Sequence, residues 1–288
     1  MKINLLSIVA VFLFTIIFFA GCQEPKVTPT KGYLLAAVDE AVFPIVSQES
    51  VVFDSLYKTS KIDLKKVTPF DGIAGVLNGN YKMFVSTMGL NEKQRDFVNK
   101  NKIGLNIFKF CYNAIAVIAP KNSSIQNIRI DEIQSILSGE SSNIRVVIPQ
   151  TNTGTYQYIS EKILKGKIPK NVEVVPSDSA VFAVVKNSSD KIGLLSFNTV
   201  QDSSKIKFLK VGEFNQNKLD DNYYEPHPGL VYKDYYPFKE TIFIYLNEKG
   251  RSVASGFTTF LTSYIGQKIA LGQNLAPAAV PVKINQNQ

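Results

Sequence analysis

Short apolar runs alternate with amphipathic stretches along most of the chain. Residues 33–38 (Tyr-Leu-Leu-Ala-Ala-Val) read as a buried strand, and residues 42–57 as a helix that Asp39 can cap. Residues 65–69 predict a second strand, and 72–78 a helical stretch behind Asp71. Residues 81–86 predict a third strand, Asn91 caps a helix reaching Val98, and 103–109 form a fourth strand. Residues 114–119 are a further buried strand, stopped by Pro120. A short helix over 131–137 ends at Ser138-Gly139. Residues 146–149 are a strand, 151–155 a polar turn and 156–165 a helix. A strand over 172–175, a helix over 180–186 and a strand over 192–196 continue the series. Residues 201–229 are polar and irregular, with Asn215, Asn217 and Asn222 among them. Residues 241–246 are a β-branched and aromatic strand, and 252–269 one long amphipathic helix. Alternating strands and helices predict an α/β protein with mostly parallel sheet and helices on both faces. The number of such units is too high for one small sheet, so two α/β lobes are expected.

The N-terminus breaks this pattern. Lys2 precedes an almost unbroken apolar run over 5–19, and Ala20-Gly21-Cys22 ends it. The run is short for a membrane span, and one basic residue flanks it. The segment resembles the lipobox of bacterial lipoproteins, with Phe19 where that motif usually has Leu. The resemblance implies that residues 1–21 are a signal peptide and that Cys22 carries acyl chains such as palmitate. Residues 22–31, polar with two prolines, then read as a tether. The implied location is the cell envelope, lipid-anchored to a membrane, periplasmic or outer-membrane associated. One N-terminal membrane helix is the alternative.

The formal charge of +8 comes from scattered basic residues. They form no Lys/Arg stripe with interleaved aromatics, which argues against nucleic acid as a partner. A solvated basic surface explains them, and attraction of anions or anionic headgroups is the functional alternative. There are two cysteines and one histidine. With Cys22 assigned to lipid, Cys111 is left as a buried, inert thiol. His227 lies between Pro226 and Pro228, a loop position. No CxxC, His-rich or nucleophile-elbow pattern is present, so neither metal, cofactor nor enzymatic activity is expected.

Free backbone N–H groups at helix N-termini favour anions. Three strand-to-helix turns are placed to converge on one cleft: Asp39-Glu40-Ala41, Ser86-Thr87-Met88 and Thr151-Asn152-Thr153-Gly154-Thr155. The ligand-binding candidates are therefore Asp39, Glu40, Ser86, Thr87, Asn152, Thr153, Gly154 and Thr155. Gly154 allows close backbone approach, and its neighbours supply hydroxyls. Ordinary helix capping by Asp39 and the threonines is the competing reading.

Several segments, in order, carry a family resemblance. Ile130-Asp131-Glu132-Ile133 and Ile136-Leu137-Ser138-Gly139 precede Thr153-Gly154-Thr155, which stands where the family has Ser-Gly-Thr. Ile192-Gly193, Tyr236-Pro237-Phe238, Gly256-Phe257, Phe260-Leu261, Gly266-Gln267-Lys268-Ile269 and Leu275-Ala276-Pro277 follow. Together, over roughly residues 33–285, they resemble the extracytoplasmic solute-binding proteins of phosphate ABC importers. The likeness is closest to the phosphate-binding-protein-like lipoproteins of the Bacteroidota. It implies the type II periplasmic binding protein fold, with two lobes and an inter-lobe cleft that closes by hinge motion. Residues 32–110 and 245–286 would form lobe 1, and 111–244 lobe 2. The chain would cross between them at 109–113 and within 235–246. The implied ligand is an oxyanion, phosphate first, and the implied partner an ABC permease, with the receptor a monomer. Two departures stand out. Pro149 occupies the position of the family arginine, and Asp39-Glu40 replace a small hydroxyl residue in the first turn. Lys109 near the crossing is a substitute charge or a plain surface lysine. A binding-protein scaffold with another ligand, cationic or sugar-like, or with an interaction role on the envelope, is the alternative.

Overall fold

The computed structural model describes residues 27–140, 144–200, 202–213, 222–248 and 250–278. The apolar N-terminal run, Cys22, Asn215, Asn217 and the last ten residues lie outside them.

The first lobe is built on parallel pairing. Strand β1 (Gly32–Asp39) leads through a single turn (Glu40–Val42) into α1 (Phe43–Leu56). Asp39 caps that turn, accepting from Ala41 N at 3.2 Å, and α1 itself starts without a side-chain cap. Then come β2 (Ser60–Val67), α2 (Pro69–Leu77), β3 (Met83–Ser86) and α3 (Glu92–Lys100). Asn91 and Gln94 close a reciprocal capping box on α3, as the sequence suggests. β1 pairs in parallel with β2 over its whole length and with β3 on its other side.

Strand β4 (Leu105–Pro120) is one continuous strand of 16 residues where the hydrophobic pattern suggests two. Lys109 interrupts the pattern, yet both sheets use this backbone as a ladder. After it come β5 (Asn127–Arg129), α4 (Ile130–Ser138), β6 (Arg145–Pro149) and α5 (Gly154–Tyr158), which continues as a π turn over Ile159–Ile163. Gly139 at φ 75° ends α4 in the left-handed conformation that glycine adopts without strain. β7 (Val172–Val175), α6 (Asp178–Lys186) and β8 (Lys191–Ser196) complete a second parallel set. Residues 201–229 are less irregular than their polarity implies. They hold β9 (Ile206–Phe208), β10 (Lys210–Gly212), β11 (Tyr223–Tyr224) and the start of α7 (Pro228–Tyr232). His227 caps α7 through Nδ1, which accepts from Gly229 N at 3.1 Å.

Strand β12 (Lys239–Asn247) runs back antiparallel to β3 and to the first half of β4. The second half of β4 pairs with β8 and β9 instead. The sheet order is thus β2-β1-β3-β12-β4-β8-β6-β7. The expected long C-terminal helix is two, α8 (Val253–Leu261) and α9 (Tyr264–Gly272), followed by β13 (Ala276–Pro277). Ser263 starts α9 as its cap, and Gly266 lets the corner pack: a methyl there would press on the Phe260 and Leu261 carbonyls at 2.5 and 2.6 Å. A turn at Thr28–Lys31 is also part of the fold, with Pro29 seated on Gly256.

Four apolar clusters form among the described residues, and the two largest divide between the lobes. Val38, Ile45, Phe53, Met83, Ile244 and Phe257 lie in the first, and Ile115, Ile133, Ile148, Leu194 and Tyr236 in the second. On β4 the handover falls between Cys111, in the first core, and Ala114, in the second. Cys111 is free and buried, and burial pushes its thiol pKa up. Among the described residues no helix is long and apolar enough to cross a membrane.

Candidate functional site

The turns after β1, after β3 and before α5 meet between the lobes. Asp39 is buried, and its carboxylate organises the first-lobe side. Oδ2 accepts from Ser86 Oγ (2.8 Å), Thr87 N (3.3 Å) and Thr87 Oγ1 (3.1 Å). Burial raises its pKa against these bonds. On the second-lobe side Asp178 does the same work, with Oδ1 accepting from Thr155 Oγ1 (2.6 Å) and Ser196 N (2.8 Å). Its pKa is pushed up to about 6, first by burial, with the charge of Asp39 adding. The hydroxyl protons of Ser86, Thr87 and Thr155 therefore point at carboxylates, so toward a third partner these groups offer lone pairs.

The lobes touch directly. Gly154 packs against Thr87, leaving no room for a side chain at position 154. Phe70 N donates to Asn152 Oδ1 at 3.1 Å, and Asn198 Nδ2 donates to Ala41 O at 2.7 Å. Gln157 pairs with the backbone of Gly89 in both directions, at 2.9 and 3.1 Å.

Next to this seam lies a cavity of about 230 Å³ whose lining includes Asp39, Glu40, Lys66, Thr68, Gln150, Asn152, Thr153, Ser177 and Asp178. Three helix caps belong to that lining. Thr68 caps α2, accepting from Asp71 N at 3.3 Å. Ser177 caps α6, accepting from Ala180 N at 3.2 Å, and Thr153 caps α5, accepting from Tyr156 N at 3.2 Å. Among the described residues Lys66 is the one cation in the lining, with Nζ 5.2 Å from the Phe43 ring centre. Beyond the seam a second cavity of about 210 Å³ is lined in part by Thr87, Arg95, Gly154, Gln157, Lys162 and Glu240.

The eight candidates are thus divided. Asp39, Glu40, Asn152 and Thr153 line the first cavity, Thr87 and Gly154 the second, and Ser86 and Thr155 are buried beside neither. Lys109 is exposed in the ladder opposite Phe243, outside both linings. Sequence reasoning missed Lys66, Thr68, Ser177, Asp178 and Glu240. The hydroxyl-then-acid pairs Thr68…Asp71 and Ser177-Asp178 were readable cap signals. Nothing local marked Lys66 or Glu240. No cluster of three or more His, Cys, Asp or Glu suited to a metal occurs among the described residues.

A two-lobe α/β fold with capped turns from both lobes around an inter-lobe cavity is the architecture of a periplasmic binding protein. Residues 24–264 match the family described as the PBP superfamily domain, and the chain belongs to it. It is 20% identical to the phosphate-binding protein PstS of Staphylococcus aureus over 272 residues, 90% of this chain and 81% of that one. A Clostridium perfringens structure described as a phosphate ABC transporter substrate-binding protein with bound phosphate superposes with a TM-score of 0.73. It shares 19% identity, with 86% of this chain and all of that chain covered. An ABC-type phosphate transport receptor from Vibrio cholerae gives 0.65 at 17% identity, with 86% of this chain and 100% of that chain covered. The names of these relatives describe phosphate binding or phosphate transport.

Proposed function

We propose that this chain is an extracytoplasmic receptor that captures an oxyanion, phosphate first, and delivers it to an ABC importer. The observation that carries this reading is the 230 Å³ inter-lobe cavity, where the capped starts of α2 and α6 come together beside Lys66. The phosphate receptors among its relatives agree with it. Pro149 is buried at the position where the family arginine is expected. Lys66, Gln150 and Asn152 replace a bidentate guanidinium with single donors, which favours weaker and less selective anion binding. Isothermal titration of ligand-stripped protein with phosphate, and with sulfate as control, tests this. Micromolar phosphate binding supports the reading, and no heat with either anion overturns it.

The lining also favours a second reading. Asp39, Glu40 and Asp178 set three carboxyl groups against one lysine. That balance suits a cationic or sugar-like solute, or a scaffold retained for an interaction role on the envelope. The same titration with amines and neutral sugars separates the readings.

For Cys22 we propose lipidation after removal of residues 1–21, with the receptor held at a membrane as a monomer. Metabolic labelling with a palmitate analogue should mark the wild type and not Cys22→Ala. Labelling of both variants excludes Cys22 as the sole site.

A further inference from the structure

Three buried carboxyl groups meet where the lobes close, and none has a cationic partner among the described residues. Asp39 ends a first-lobe strand, Asp178 opens a second-lobe helix, and Glu240 lies on the crossing strand β12. They are 4%, 6% and 2% exposed. The donors to them are neutral. Glu240 Oε2 accepts from Ser196 Oγ at 3.0 Å and Asn113 Nδ2 at 3.2 Å. Glu240 Oε1 is buried without a hydrogen-bond partner, and so is Oδ1 of Asn113, the residue paired with Glu240 across the ladder. Two acceptors are left without a donor, and a proton on Glu240 supplies one.

The group is wired to the cleft. Asn113 Nδ2 also reaches Asn198 Oδ1 at 2.8 Å, and Asn198 Nδ2 donates to Ala41 O in the other lobe. Ala41 N in turn donates to Asp39. Separating the lobes breaks the Asn198 contact, moves Asp39 away from Asp178 and admits water to all three acids.

We propose that cleft closure is coupled to proton uptake by the chain at Glu240 and Asp178, so that acid strengthens solute capture and favours an oxyanion in its protonated, lower-charge form. The statement about the solute rests on the function proposed above, whereas the coupling of closure to protons does not. Each proton comes from solvent and adds to one carboxylate oxygen, and no other bond changes.

Among the described residues the surroundings supply no compensating charge. Glu40 and Lys66 share a cavity with Asp39 and Asp178, but Lys66 is exposed to solvent. Beside Glu240, burial holds the Tyr158 phenol and the Cys111 thiol neutral, with pKa values raised. In the second cavity Lys239 is paired with Asp234 at 2.9 Å, and Arg95 donates to Leu90 O. Glu161 accepts from Gln157, and Lys162 is exposed. Burial, then the neighbouring acids, raises Glu240 well above the carboxylate range. The closed form therefore holds more protons than an open one, Asp178 chiefly up to about pH 6 and Glu240 well above the ordinary carboxylate range.

Hydrogen–deuterium exchange on the full, solute-free chain in detergent tests the coupling. Protection of segments 86–90 and 196–199, corrected for intrinsic rate and compared with core strand β1, should fall between pH 6 and 8.5. One coupled proton corresponds to about tenfold per pH unit. Glu240→Gln should remove this dependence. Asp178→Asn, which keeps an acceptor for Thr155 and Ser196, should flatten the profile between pH 4.5 and 6.5, so the test survives if Glu240→Gln fails to fold. Equal wild-type protection across these ranges overturns the proposal. Phosphate titration in two buffers of different ionisation enthalpy should add about one proton taken up by the chain at pH 7, beyond phosphate's own equilibrium. Absence of phosphate binding with pH-dependent protection intact overturns the assigned solute and leaves the proton-coupled closure standing.

Discussion

Gly154 of the second lobe lies flat against Thr87 of the first. A methyl group at position 154 would overlap Thr87 Oγ1 and stand 2.6 Å from its Cβ and 3.0 Å from its carbonyl carbon. Backbone on both sides cannot yield, so the lobes must part. Gly154→Ala should hold the cleft open and weaken phosphate binding by about tenfold or more, a change of roughly 1.4 kcal/mol. Thr87→Gly in the same chain should recover part of the loss. Wild-type affinity in Gly154→Ala would show that ligand capture does not need this seam.

Asp39 is a positioning group for the β3 turn. Asp39→Ala strands the Ser86 hydroxyl and the Thr87 N–H, both buried. A buried donor left without a partner costs about 1–3 kcal/mol. The urea midpoint should fall accordingly, and Asp39→Asn, which keeps an acceptor, should lose less. Equal midpoints for wild type and Asp39→Ala would refute the positioning role.

Lys66 is the one cation among the described residues that line the proposed site. Lys66→Gln should lower phosphate affinity about three- to tenfold and flatten its dependence on salt, since an exposed charge acts through a screened field. Under the cationic or sugar-like reading the same variant binds its solute as well or better. Titrations at two ionic strengths distinguish the two.

Glu49 sits in the first core with both carboxyl oxygens buried and unpartnered, and burial pushes its pKa up to about 9. Between the ordinary 4.5 and about 9 the native chain keeps a proton that the unfolded chain releases. The native state then binds more protons, so stability falls as pH rises through that window, by at most about 1.4 kcal/mol per unit. The melting temperature should drop from pH 5 to 9, and Glu49→Gln should flatten the profile. An unchanged slope in that variant would mean Glu49 is solvated.

Local structure was readable where neighbours in the chain decide it. Asn91 and Gly139 act within one helical turn, and the buried strands at 33–38, 146–149 and 192–196 carry their own apolar runs. The site was readable only as a set of turns. Hydroxyls in Ser86, Thr87 and Thr155 suggested donors to a ligand, but nothing nearby in sequence says that Asp39 and Asp178 accept their hydrogen bonds.

The sequence by itself determined the alternation of strands and helices, most caps, and the turns that face the cleft, because periodicity and capping act over a few residues. Tertiary structure alone decided that β4 runs unbroken through both sheets and that the C-terminal helix divides at Ser263. It also brought Lys66, Asp178 and Glu240 to the cleft. Ser86 lies 47 residues from Asp39 and Asn113 lies 127 from Glu240. Such partners are chosen by the packing of a whole lobe, which no run of neighbouring residues reports.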